Sequence, residues 1–489
     1  MGKHFYIILL VFNRKDNIMN HRIQKIHEAS IKILSKTGMK YHHPKAIEIL
    51  KENGISVKGN TAFFTEEELM YWIGKVPSQF RIYAQNPDHG LVFGNKDTHI
   101  APPYGCPSVT EKDGTVRPGT LVDYINMVKL FQVNEDFHIN GGLLVQPNDI
   151  DIPSSCLSMF YGALTHSDKI MMIPAGKKEQ MEAIIDSMAL LSGGKKHLKN
   201  EPRFCTIVNI NTPLQLDITM TDVLFTFAQN GQPFAATSGA MAGSTAPMTL
   251  AGTIAMFNAE VLATIALAQM INPGTPVFYG SQATTADMKT GQMACGAAEG
   301  VICAKYVSQL AKFYHLPCRG GGAITDAKIV DAQAGMESMM MLMNNFDHGM
   351  DLVIHAAGIL DSYLSVSFEK IILDFEIIRY IKRYQREFDI NDNTIPLDLI
   401  LEIGHNGEFL TKEHTFHHCR TEPLFRKICS CGKVDDPLHQ LSINMEKEYF
   451  HMMDQYHRPE IPMEKLYEIK EILCHAGANK VLLDQIETM

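Results

Sequence analysis

A positively charged side chain, Arg319, is followed by a run of three glycines in this chain. Further along, His355 is followed by the small residues Ala-Ala-Gly. The three glycines after Arg319 are Gly320, Gly321 and Gly322. A guanidinium group can bind a carboxylate through two parallel N–H groups, and the N–H groups of a glycine turn can assist it. Glycines here also suit the close approach of a flat cofactor edge, or a tight corner of the fold without any ligand.

Four aromatic side chains lie at or near the ends of short apolar segments of the chain. They are Tyr104, Phe278, Tyr279 and Phe346. A quaternary ammonium group cannot donate a hydrogen bond, so aromatic faces and nearby carboxylates are the groups that hold it. We therefore consider these four rings candidates for a cation cage. Packing in the core explains large aromatic side chains equally well.

Four more polar residues occupy comparable positions. Gln146 and Asn211 are candidates for substrate binding, and Asp326 and His348 join His355 as candidates for catalysis or for ordering the site. The chain has no G-x-S-x-G nucleophile elbow, no G-x-x-x-x-G-K-[ST] loop, and no G-x-G-x-x-G after its first strand segment. The sequence therefore lacks the common serine-hydrolase and phosphate-binding motifs.

Eight short apolar segments are each followed by a stretch of helix length. The segments are 98–105, 138–146, 169–176, 204–212, 233–241, 275–282, 316–327 and 352–360, and the helices are 119–134, 154–166, 177–193, 215–229, 248–271, 293–314, 329–346 and 361–387. This alternation predicts βα units in a parallel sheet, and eight units close a (β/α)8 barrel. Such barrels carry their chemistry at the C-terminal ends of the strands, so the candidate residues should share one face.

Residues 1–97 and 388–489 flank the predicted barrel, which spans 98–387. We expect an N-terminal helical cap with a hairpin at 77–93, and a C-terminal helical extension whose last helix spans 463–488. The apolar run at 5–12 is too short to span a bilayer, and no small-residue cleavage site follows it. We interpret this run as an extension of little structural value, with a buried first strand as the alternative.

Composition and charge indicate which partners to expect and whether the cysteines are reduced. The 489 residues carry a formal charge of −10 with no run rich in lysine and arginine, so we expect no nucleic-acid partner, and we expect no membrane partner. Ten cysteines at irregular spacing indicate reduced thiols in a cytoplasm. His414, His417, His418, Cys419, Cys429 and Cys431 lie close together, but their spacing matches no standard zinc site. We expect no metal there, with zinc as the alternative.

Several separated motifs resemble the trimethylamine methyltransferase family and keep its order. They are 275–291 (TPVFYGSQATTADMKTG), 316–338 (LPCRGGGAITDAKIVDAQAGMES), 355–376 (HAAGILDSYLSVSFEKIILDFE) and 407–421 (GEFLTKEHTFHHCRT). The resemblance covers most of the chain from about residue 20 onward. It implies a (β/α)8 barrel that passes a methyl group from an amine to the Co(I) centre of a corrinoid (cobalamin) on a separate protein, with no tightly bound cofactor of its own.

The founding members of that family contain pyrrolysine, whereas this sequence has only standard residues. The resemblance therefore implies a quaternary-amine enzyme, with glycine betaine as the first expectation and proline betaine or carnitine as others. A quaternary nitrogen leaves as a neutral tertiary amine, so the protein must mainly position the cation, exclude water and dock the corrinoid protein. A tertiary-amine methyltransferase and a non-catalytic scaffold that binds a corrinoid protein are the alternatives. The sequence leaves open whether the chain forms a homo-oligomer.

Overall fold

Eight parallel strands form the centre of the computed structural model, which describes residues 20–489. We number them in chain order: β1 is His99–Ile100, β2 Ile139–Gly141, β3 Ile170–Met172, β4 Phe204–Ile210, β5 Phe234–Ser238, β6 Val277–Ser281, β7 Cys318–Gly321 and β8 Leu352–Ile354. Each predicted segment contains one of these barrel strands, and the barrel strands pair in parallel in the order β2-β3-β4-β5-β6-β7-β8-β1. The predicted (β/α)8 barrel is therefore confirmed.

The barrel closes between β1 and β2 through side chains and loops rather than through a ladder of backbone hydrogen bonds. The rings of His99 and His138 lie 5.4 Å apart at one end of this seam. Beyond the C-terminal ends of the two strands, the Gly105 N–H donates to the Leu143 carbonyl at 2.7 Å. The seam is therefore held at both ends.

A helix follows each strand and covers the barrel. These helices are α1 Leu121–Val133, α2 Ile152–His166, α3 Lys178–Leu191, α4 Ile218–Gln229, α5 Leu250–Ile271, α6 Ala298–Tyr314, α7 Ala332–Asp347 and α8 Phe368–Gln385, and a short helix, Lys195–Asn200, follows α3. At the start of α1, α2, α4, α7 and α8, a side-chain oxygen accepts a hydrogen bond from an otherwise unpaired N–H of the first turn. Thr120 caps α1 at 3.2 Å and Asp331 caps α7 at 3.0 Å.

Helix α5 is apolar around its whole circumference because it is surrounded by protein. Its length and composition would allow it to cross a membrane, and it is the one helix among residues 20–489 that meets this test, but 94% of its apolar window is buried. Tyr41 of the N-terminal region donates a hydrogen bond to the Ala263 carbonyl of this helix at 3.0 Å. We therefore describe α5 as a core helix.

The N-terminal region contains a hairpin, as the sequence predicted. Strands Phe80–Ile82 and Leu91–Phe93 pair antiparallel around a 3-10 turn, Pro87–His89. Hairpin side chains form one buried cluster with the first inward-facing residue of most barrel strands, such as Ile170 and Phe278. The hairpin therefore closes the N-terminal end of the barrel.

The rest of the described N-terminal region packs on the outside of the barrel. It comprises a helix over 20–36, strand Met39–Tyr41, helix Pro44–Glu52, strands Ser56–Lys58 and Thr61–Phe63, and helix Glu66–Ile73. The last helix begins with a capping box between Thr65 and Glu68, in line with the acidic start read from the sequence. The apolar run at 5–12 lies outside the described residues.

The C-terminal extension is helical. Its helices are Leu397–Ile403, Glu413–His418, Gln440–Asp454, Met463–His475 and Lys480–Ile486. The single final helix predicted over 463–488 is wrong, because Gly477 adopts a φ of +102° and divides it into two. These two helices pack beside α3 and α2, where His166 binds the Ile486 carbonyl at 2.8 Å. The boundaries after 97 and 387 stay predictions.

Small strands in the βα loops surround the C-terminal opening of the barrel, which we call the mouth. They are Ser108–Thr110, Val116–Pro118, Gln215–Leu216, Met241–Ala242, Thr284–Ala286, Met293–Ala294, Ile359–Leu360 and Ser365–Val366. Pairing between loops fixes their positions, since Ser365–Val366 is parallel to Ser108–Val109. The mouth is therefore built from loops that support one another.

Candidate functional site

A row of side chains crosses the inner wall of the barrel near the mouth. Asn209, Thr237, Gly280 and Arg319 are successive partners in the registers of β4, β5, β6 and β7. Inner-facing side chains alternate along a strand, and Ile207, two residues before Asn209, belongs to the buried cluster of the lumen. The row therefore presents amide, hydroxyl and guanidinium groups to the interior.

Arg319 is the most unusual member of this row. Its side chain is 1% exposed, and none of the ion pairs among residues 20–489 includes it. Its Nη1 lies 3.5 Å from Gln282 Oε1, and its Nε is buried without a hydrogen-bond partner. Burial lowers the pKa of the guanidinium to about 10, which still leaves it charged at neutral pH. A buried cation without a counter-charge attracts an anion.

The glycines around Arg319 provide space for this arrangement. A Cβ on Gly280 would lie 3.2 Å from Arg319 Cδ, and one on Gly321 would lie 2.2 Å from Gln282 Oε1. A Cβ on Gly322 would lie 2.6 Å from the backbone of Ala356, in the loop that follows β8. Gly320 faces Met350 on the other side of the sheet. Close packing therefore accounts for the glycine run, and its role in binding a cofactor stays a prediction.

His355 lies directly after β8, close enough to Arg319 for the charge of the guanidinium to act on its ring. Its φ is +64°, a left-handed conformation that is uncommon for a residue with a side chain. The Tyr104 N–H donates to its Nδ1 at 3.2 Å, so the proton of the neutral ring is on Nε2. Burial and then the charge of Arg319 lower the pKa of the imidazole well below 6.5. His355 is therefore a neutral hydrogen-bond donor at physiological pH.

Tyr363 completes this cluster, and the sequence interpretation did not include it. Its ring stands edge-on to His355, with centroids 5.0 Å apart at 84°. Its hydroxyl oxygen is buried and has no hydrogen-bond partner within residues 20–489. Burial raises the pKa of the phenol well above 10, so the group is a neutral donor. An aromatic face and a vacant donor thus lie beside an unpaired guanidinium.

The backbone that carries Tyr363 is strained. Three consecutive residues, Asp361, Ser362 and Tyr363, have φ values of +50°, +52° and +78°. A run of left-handed residues other than glycine is costly and persists only where surrounding contacts impose it. The Ser362 N–H donates to the Thr325 carbonyl at 3.0 Å, and the Asp361 N–H donates to the Ala327 carbonyl at 2.8 Å.

Asp326, predicted as catalytic, belongs to the support of this turn. Its Oδ1 accepts hydrogen bonds from the Cys295 N–H at 2.8 Å and from the Ser362 hydroxyl at 2.5 Å. Its own N–H donates to Glu337 at 2.9 Å. With its carboxylate occupied in this way, Asp326 can hold the loops after β6, β7 and β8 together. Its geometry favours a positioning role for the turn of Tyr363.

Tyr104 approaches the cluster from the loop after β1. Its ring packs against Gly142, where a Cβ would lie 2.9 Å from the ring, and against the buried cluster of the lumen. Its hydroxyl oxygen accepts a hydrogen bond from the Ala175 N–H at 3.2 Å, and burial raises its pKa to about 12. Tyr104, Arg319 and His355 are therefore the predicted residues that the structure brings together.

Two of the predicted aromatic residues lie elsewhere in β6. Phe278 faces the interior but at the closed end, where its ring packs edge-on to Phe80 and Phe93 with centroids 5.0 and 4.8 Å apart. Tyr279 faces outward, and its hydroxyl donates to Asn258 of α5 at 2.7 Å. Its predicted opening onto the mouth is wrong, because adjacent residues of a strand point to opposite faces.

The residues predicted near the end of α7 belong to a helix that covers the outside of the barrel. Helices of such a barrel run back toward the N-terminal ends of the strands, so Phe346 and His348 precede β8 rather than follow it. Phe346 packs on the outer core, and the His348 carbonyl accepts a hydrogen bond from Lys312 at 2.6 Å. Neither side chain joins the cluster of Arg319.

Gln146 and Asn211 lie in loops at the mouth, but their side chains bind neighbouring protein groups. The Gln146 amide donates to the Ser155 hydroxyl at 2.8 Å and to the Pro147 carbonyl at 3.0 Å. The Asn211 Oδ1 accepts a hydrogen bond from the Asp217 N–H at 3.0 Å. Their roles in substrate binding stay predictions, and these contacts favour loop positioning.

The histidine and cysteine cluster of the C-terminal extension does not converge. His414 and His418 have ring centroids 4.5 Å apart, whereas His417 binds Glu413 at 3.3 Å. Within residues 20–489, no group of three or more histidine, cysteine, aspartate or glutamate side chains is placed to hold a metal ion. The described geometry therefore gives the zinc alternative no support.

Exposed apolar side chains surround the mouth. They are Val116, Val122, Ile152, Ile218, Met248, Met288, Ile329, Met336 and Leu364, all in βα loops or early turns of the helices that follow them. Met248 and Met288 approach each other over Gly243. Exposed apolar surface rimmed by polar groups is typical of a protein-binding site, and methionine side chains adapt to different partners.

Four candidate functional residues were not predicted from the sequence: Asn209, Thr237, Gln282 and Tyr363. Asn209 and Thr237 sit within strands, where inward direction follows only from register. Gln282 directly follows β6, so its position at a strand end was a usable signal. Tyr363 lies nine residues after β8, in a turn whose left-handed backbone nothing in the sequence indicates.

Comparison with known proteins places the chain among methyltransferases. Residues 8–463 match the family described as trimethylamine methyltransferase (MTTB). The glycine betaine methyltransferase of Desulfitobacterium hafniense is 40% identical over 402 residues, which are 82% of this chain and 84% of that protein. The L-carnitine:corrinoid methyltransferase of Eubacterium limosum is 27% identical over 93% of this chain and 95% of its own length. The proline betaine:corrinoid methyltransferase of the same organism is 28% identical over 90% and 93%.

Proposed function

The chain belongs to the trimethylamine methyltransferase (MTTB) family and is a methyltransferase, and from this premise we propose that it demethylates a betaine. The substrate is a quaternary amine with a carboxylate, glycine betaine first, and the acceptor is the Co(I) of a corrinoid on a separate protein. Names of the relatives support this choice, since three of them act on glycine betaine, L-carnitine and proline betaine. A cytoplasmic location is part of the proposal.

One observation carries the choice of a carboxylated substrate. Arg319 is buried at the mouth with no carboxylate partner among the described residues, and its Nε has no hydrogen-bond partner. A betaine carboxylate supplies both the missing charge and the acceptor oxygens. The Tyr363 hydroxyl and the His355 Nε2–H are further neutral donors beside it.

The quaternary nitrogen requires a different surface from the carboxylate. Tyr104 follows β1 and contacts His355 through its backbone N–H, and Tyr363 follows β8 and contacts His355 through its ring, so both aromatic side chains can contribute to a cage for the methyl groups of the cation. The cage predicted from sequence thus keeps Tyr104 and gains Tyr363. Phe278, Tyr279 and Phe346 have no place in it.

The proposed transfer needs no general acid. The C–N bond breaks with its electron pair remaining on nitrogen, and glycine betaine becomes the neutral amine dimethylglycine. Co(I) supplies the electron pair of the new bond to the methyl carbon. The residues of the chain hold the substrate, keep water out and fix the direction of the methyl group. The pKa of His355 is lowered and the pKa values of Tyr104 and Tyr363 are raised, so these side chains are neutral. This agrees with a site that binds and orients the substrate without transferring a proton.

The apolar rim of the mouth supports the docking of a corrinoid protein there. Acceptor and substrate must meet in line, so the partner has to approach the end of the barrel where Arg319 and His355 lie. Exposed side chains such as Ile152, Met288 and Leu364 provide surface for that contact. A scaffold without catalytic activity would not require the polar cluster behind this rim.

Transfer from a tertiary amine is the weaker alternative. Trimethylamine is protonated at neutral pH and has no carboxylate, so the charge of Arg319 would repel it. The observation that separates the two substrates is the same unpaired guanidinium. We therefore expect trimethylamine to be untouched and glycine betaine to lose one methyl group only.

A substrate panel tests this proposal. Purified protein is mixed with cob(I)alamin and with glycine betaine, proline betaine, carnitine, choline or trimethylamine, and methylation of the cobalamin is followed by absorbance. Activity with carboxylated quaternary amines and little activity with choline or trimethylamine would support the proposal. Comparable rates with trimethylamine would contradict the substrate choice, and no transfer with any amine, even with a corrinoid protein added, would favour a scaffold.

A further inference from the structure

The segment 388–419, which we call the C-terminal arm, follows α8 and has no core. None of its residues is buried. It contains nine of the 31 large apolar side chains that are exposed among residues 20–489. They are Phe388, Ile390, Ile395, Leu397, Ile400, Leu401, Phe409, Leu410 and Phe416. Its helices, Leu397–Ile403 and Glu413–His418, have only seven and six residues.

Such short helices need support from other surfaces, because isolated helices below about 12–15 residues are marginal in water. Within residues 20–489, the side-chain hydrogen bonds and ion pairs of the arm bring no such support from the rest of the chain. All side-chain hydrogen bonds of the arm that the structure describes are internal, such as Thr394 to the Asp389 carbonyl and Thr411 to Glu408. Its two pairs of oppositely charged residue types, Lys412 with Glu402 and His417 with Glu413, are also internal.

A groove of about 780 Å³ opens where the arm leaves and rejoins the body. Apolar side chains of α8 and of the segment after the arm line its floor, among them Ile372, Phe375 and Leu424. Its lining carries six basic residues, Arg379, Lys382, Arg383, Arg386, Arg420 and Lys427, and four acidic ones, Glu135, Asp136, Glu376 and Glu448. Carboxylates neutralise four of the basic residues, but Arg386 and Arg420 belong to no ion pair among residues 20–489.

The arm has the opposite charge to these two arginines. It carries six acidic residues, Asp389, Asp392, Asp398, Glu402, Glu408 and Glu413, against the single basic residue Lys412. The arm is therefore strongly acidic, whereas the groove has more basic than acidic residues and contains the unpaired Arg386 and Arg420. Two arms would repel each other, whereas an arm and a groove attract.

We propose that the arm of one copy of this chain docks in the groove of a second copy, and that the exchange is reciprocal in a two-fold dimer. Each copy contributes the same arm and the same groove, as a closed two-fold interface requires. The nine side chains are between 42% and 81% exposed, and the arm that carries them has more residues than the roughly 20–30 that each side of a standard interface contributes. A stable interface needs about 800 Å² from each partner.

Light scattering with size exclusion tests the assembly on the full chain. We expect a dimer at micromolar concentration for the native chain. The double variant Leu401→Asp with Leu410→Asp should raise the dimer dissociation constant by about 100-fold or more, because each loses an apolar contact and gains a desolvated charge. Leu438→Asp, at an equally exposed leucine outside the arm, is the matched control and should stay dimeric. A native monomer, or a dimer that the arm variant leaves intact, would overturn the proposal.

Cross-linking identifies the surfaces that meet. Copies with normal and heavy isotopes are mixed, and a zero-length reagent joins carboxylates to lysines. We expect hybrid peptides between arm carboxylates, such as Asp398 or Glu402, and Lys382 or Lys427 of the other copy. Arm links within one copy only, or dimers without such hybrids, would contradict the arm exchange. Methyl transfer is a separate measurement, because the groove lies beside the turn before β2 and not at the mouth.

Discussion

The two ends of the barrel differ in the polar atoms that they leave without partners, and this difference favours the C-terminal end as the place where substrate binds. At the N-terminal end Phe80, Phe93 and Phe278 pack against one another, with ring centroids 4.8 to 5.7 Å apart. At the C-terminal end Arg319 and Tyr363 carry buried polar atoms without partners. One end has satisfied apolar contacts, and the other has donors for which the described residues supply no acceptor.

This difference indicates that an aromatic side chain near a strand end is not by itself enough to propose a cation site in such a barrel. The ring of Phe278 is as large as that of Tyr363, yet it is fully buried among other rings. The useful signal is an aromatic side chain next to an unpaired charge and a strained backbone, as at Tyr363. Functional sites are where such strain and unsatisfied polar groups concentrate.

The largest effect is expected on stability, for a substitution at the closed, N-terminal end of the barrel. Phe278→Ala should lower the free energy of unfolding by about 3–5 kcal/mol, because it removes a buried ring and leaves a cavity between Phe80 and Phe93. Chemical denaturation measures this loss. The affinity for glycine betaine, measured on the folded fraction, should be unchanged, and Phe278→Leu should cost less stability. A variant with native stability and weakened substrate binding would place Phe278 in the site.

The next largest effect is expected on substrate affinity, for a substitution at the mouth of the barrel. Arg319→Met should keep the fold but weaken glycine betaine by about 2–5 kcal/mol, the cost of removing one partner of a buried charged pair. Calorimetric titration measures this affinity. Choline is the matched ligand, since it shares the cation but lacks the carboxylate, and its weak binding should not fall further. Equal losses for both ligands would make Arg319 structural.

The sequence was sufficient for the barrel but only partly for the site. Eight apolar segments predicted the strands because burial on both faces leaves a clear pattern, and Arg319 and His355 were found because strand ends are visible in that pattern. The inward or outward direction of a side chain depends on register, which the segments alone do not define. This is why Tyr279 was assigned to the mouth, although its hydroxyl binds Asn258 behind the sheet.

A smaller effect tests the aromatic cage. Tyr363→Ala should weaken glycine betaine by about 1–2 kcal/mol, as expected for loss of a desolvated cation–π contact. Tyr363→Phe should retain most of the affinity, because the ring face remains. The two variants are compared in the same titration. If Tyr363→Phe were as weak as Tyr363→Ala, the hydroxyl rather than the ring would bind the substrate.

Tyr279→Phe should have a still smaller effect, restricted to stability. The hydroxyl makes one buried hydrogen bond with Asn258, so its removal should cost about 1 kcal/mol of the free energy of unfolding. Thermal or chemical unfolding measures this change. Substrate affinity should equal that of the native chain, whereas a lower affinity would return Tyr279 to the mouth.

The smallest expected effect is on the pH dependence of substrate binding. Burial and the charge of Arg319 hold the pKa of His355 well below 6.5, and burial raises the pKa of Tyr104 to about 12. Arg319 itself stays charged, since its pKa of about 10 is well above neutrality. No group of the cluster then titrates between pH 6.5 and 8.5, so the affinity for glycine betaine should change by less than about two-fold across this range.

The same pKa shift of His355 affects stability in a defined direction. The unfolded chain takes up a proton near pH 6.5, whereas the folded chain does so only at lower pH, so stability falls as pH decreases below 6.5 and is retained above it. Calorimetric titrations from pH 6.5 to 8.5 separate binding from this effect, because His355 is neutral in both states at the upper end. A binding curve with a midpoint near pH 7 that disappears in His355→Gln would show that the imidazole titrates with the substrate. Such a result would mean that His355 is not the neutral donor that its contacts with Tyr104 and Arg319 indicate.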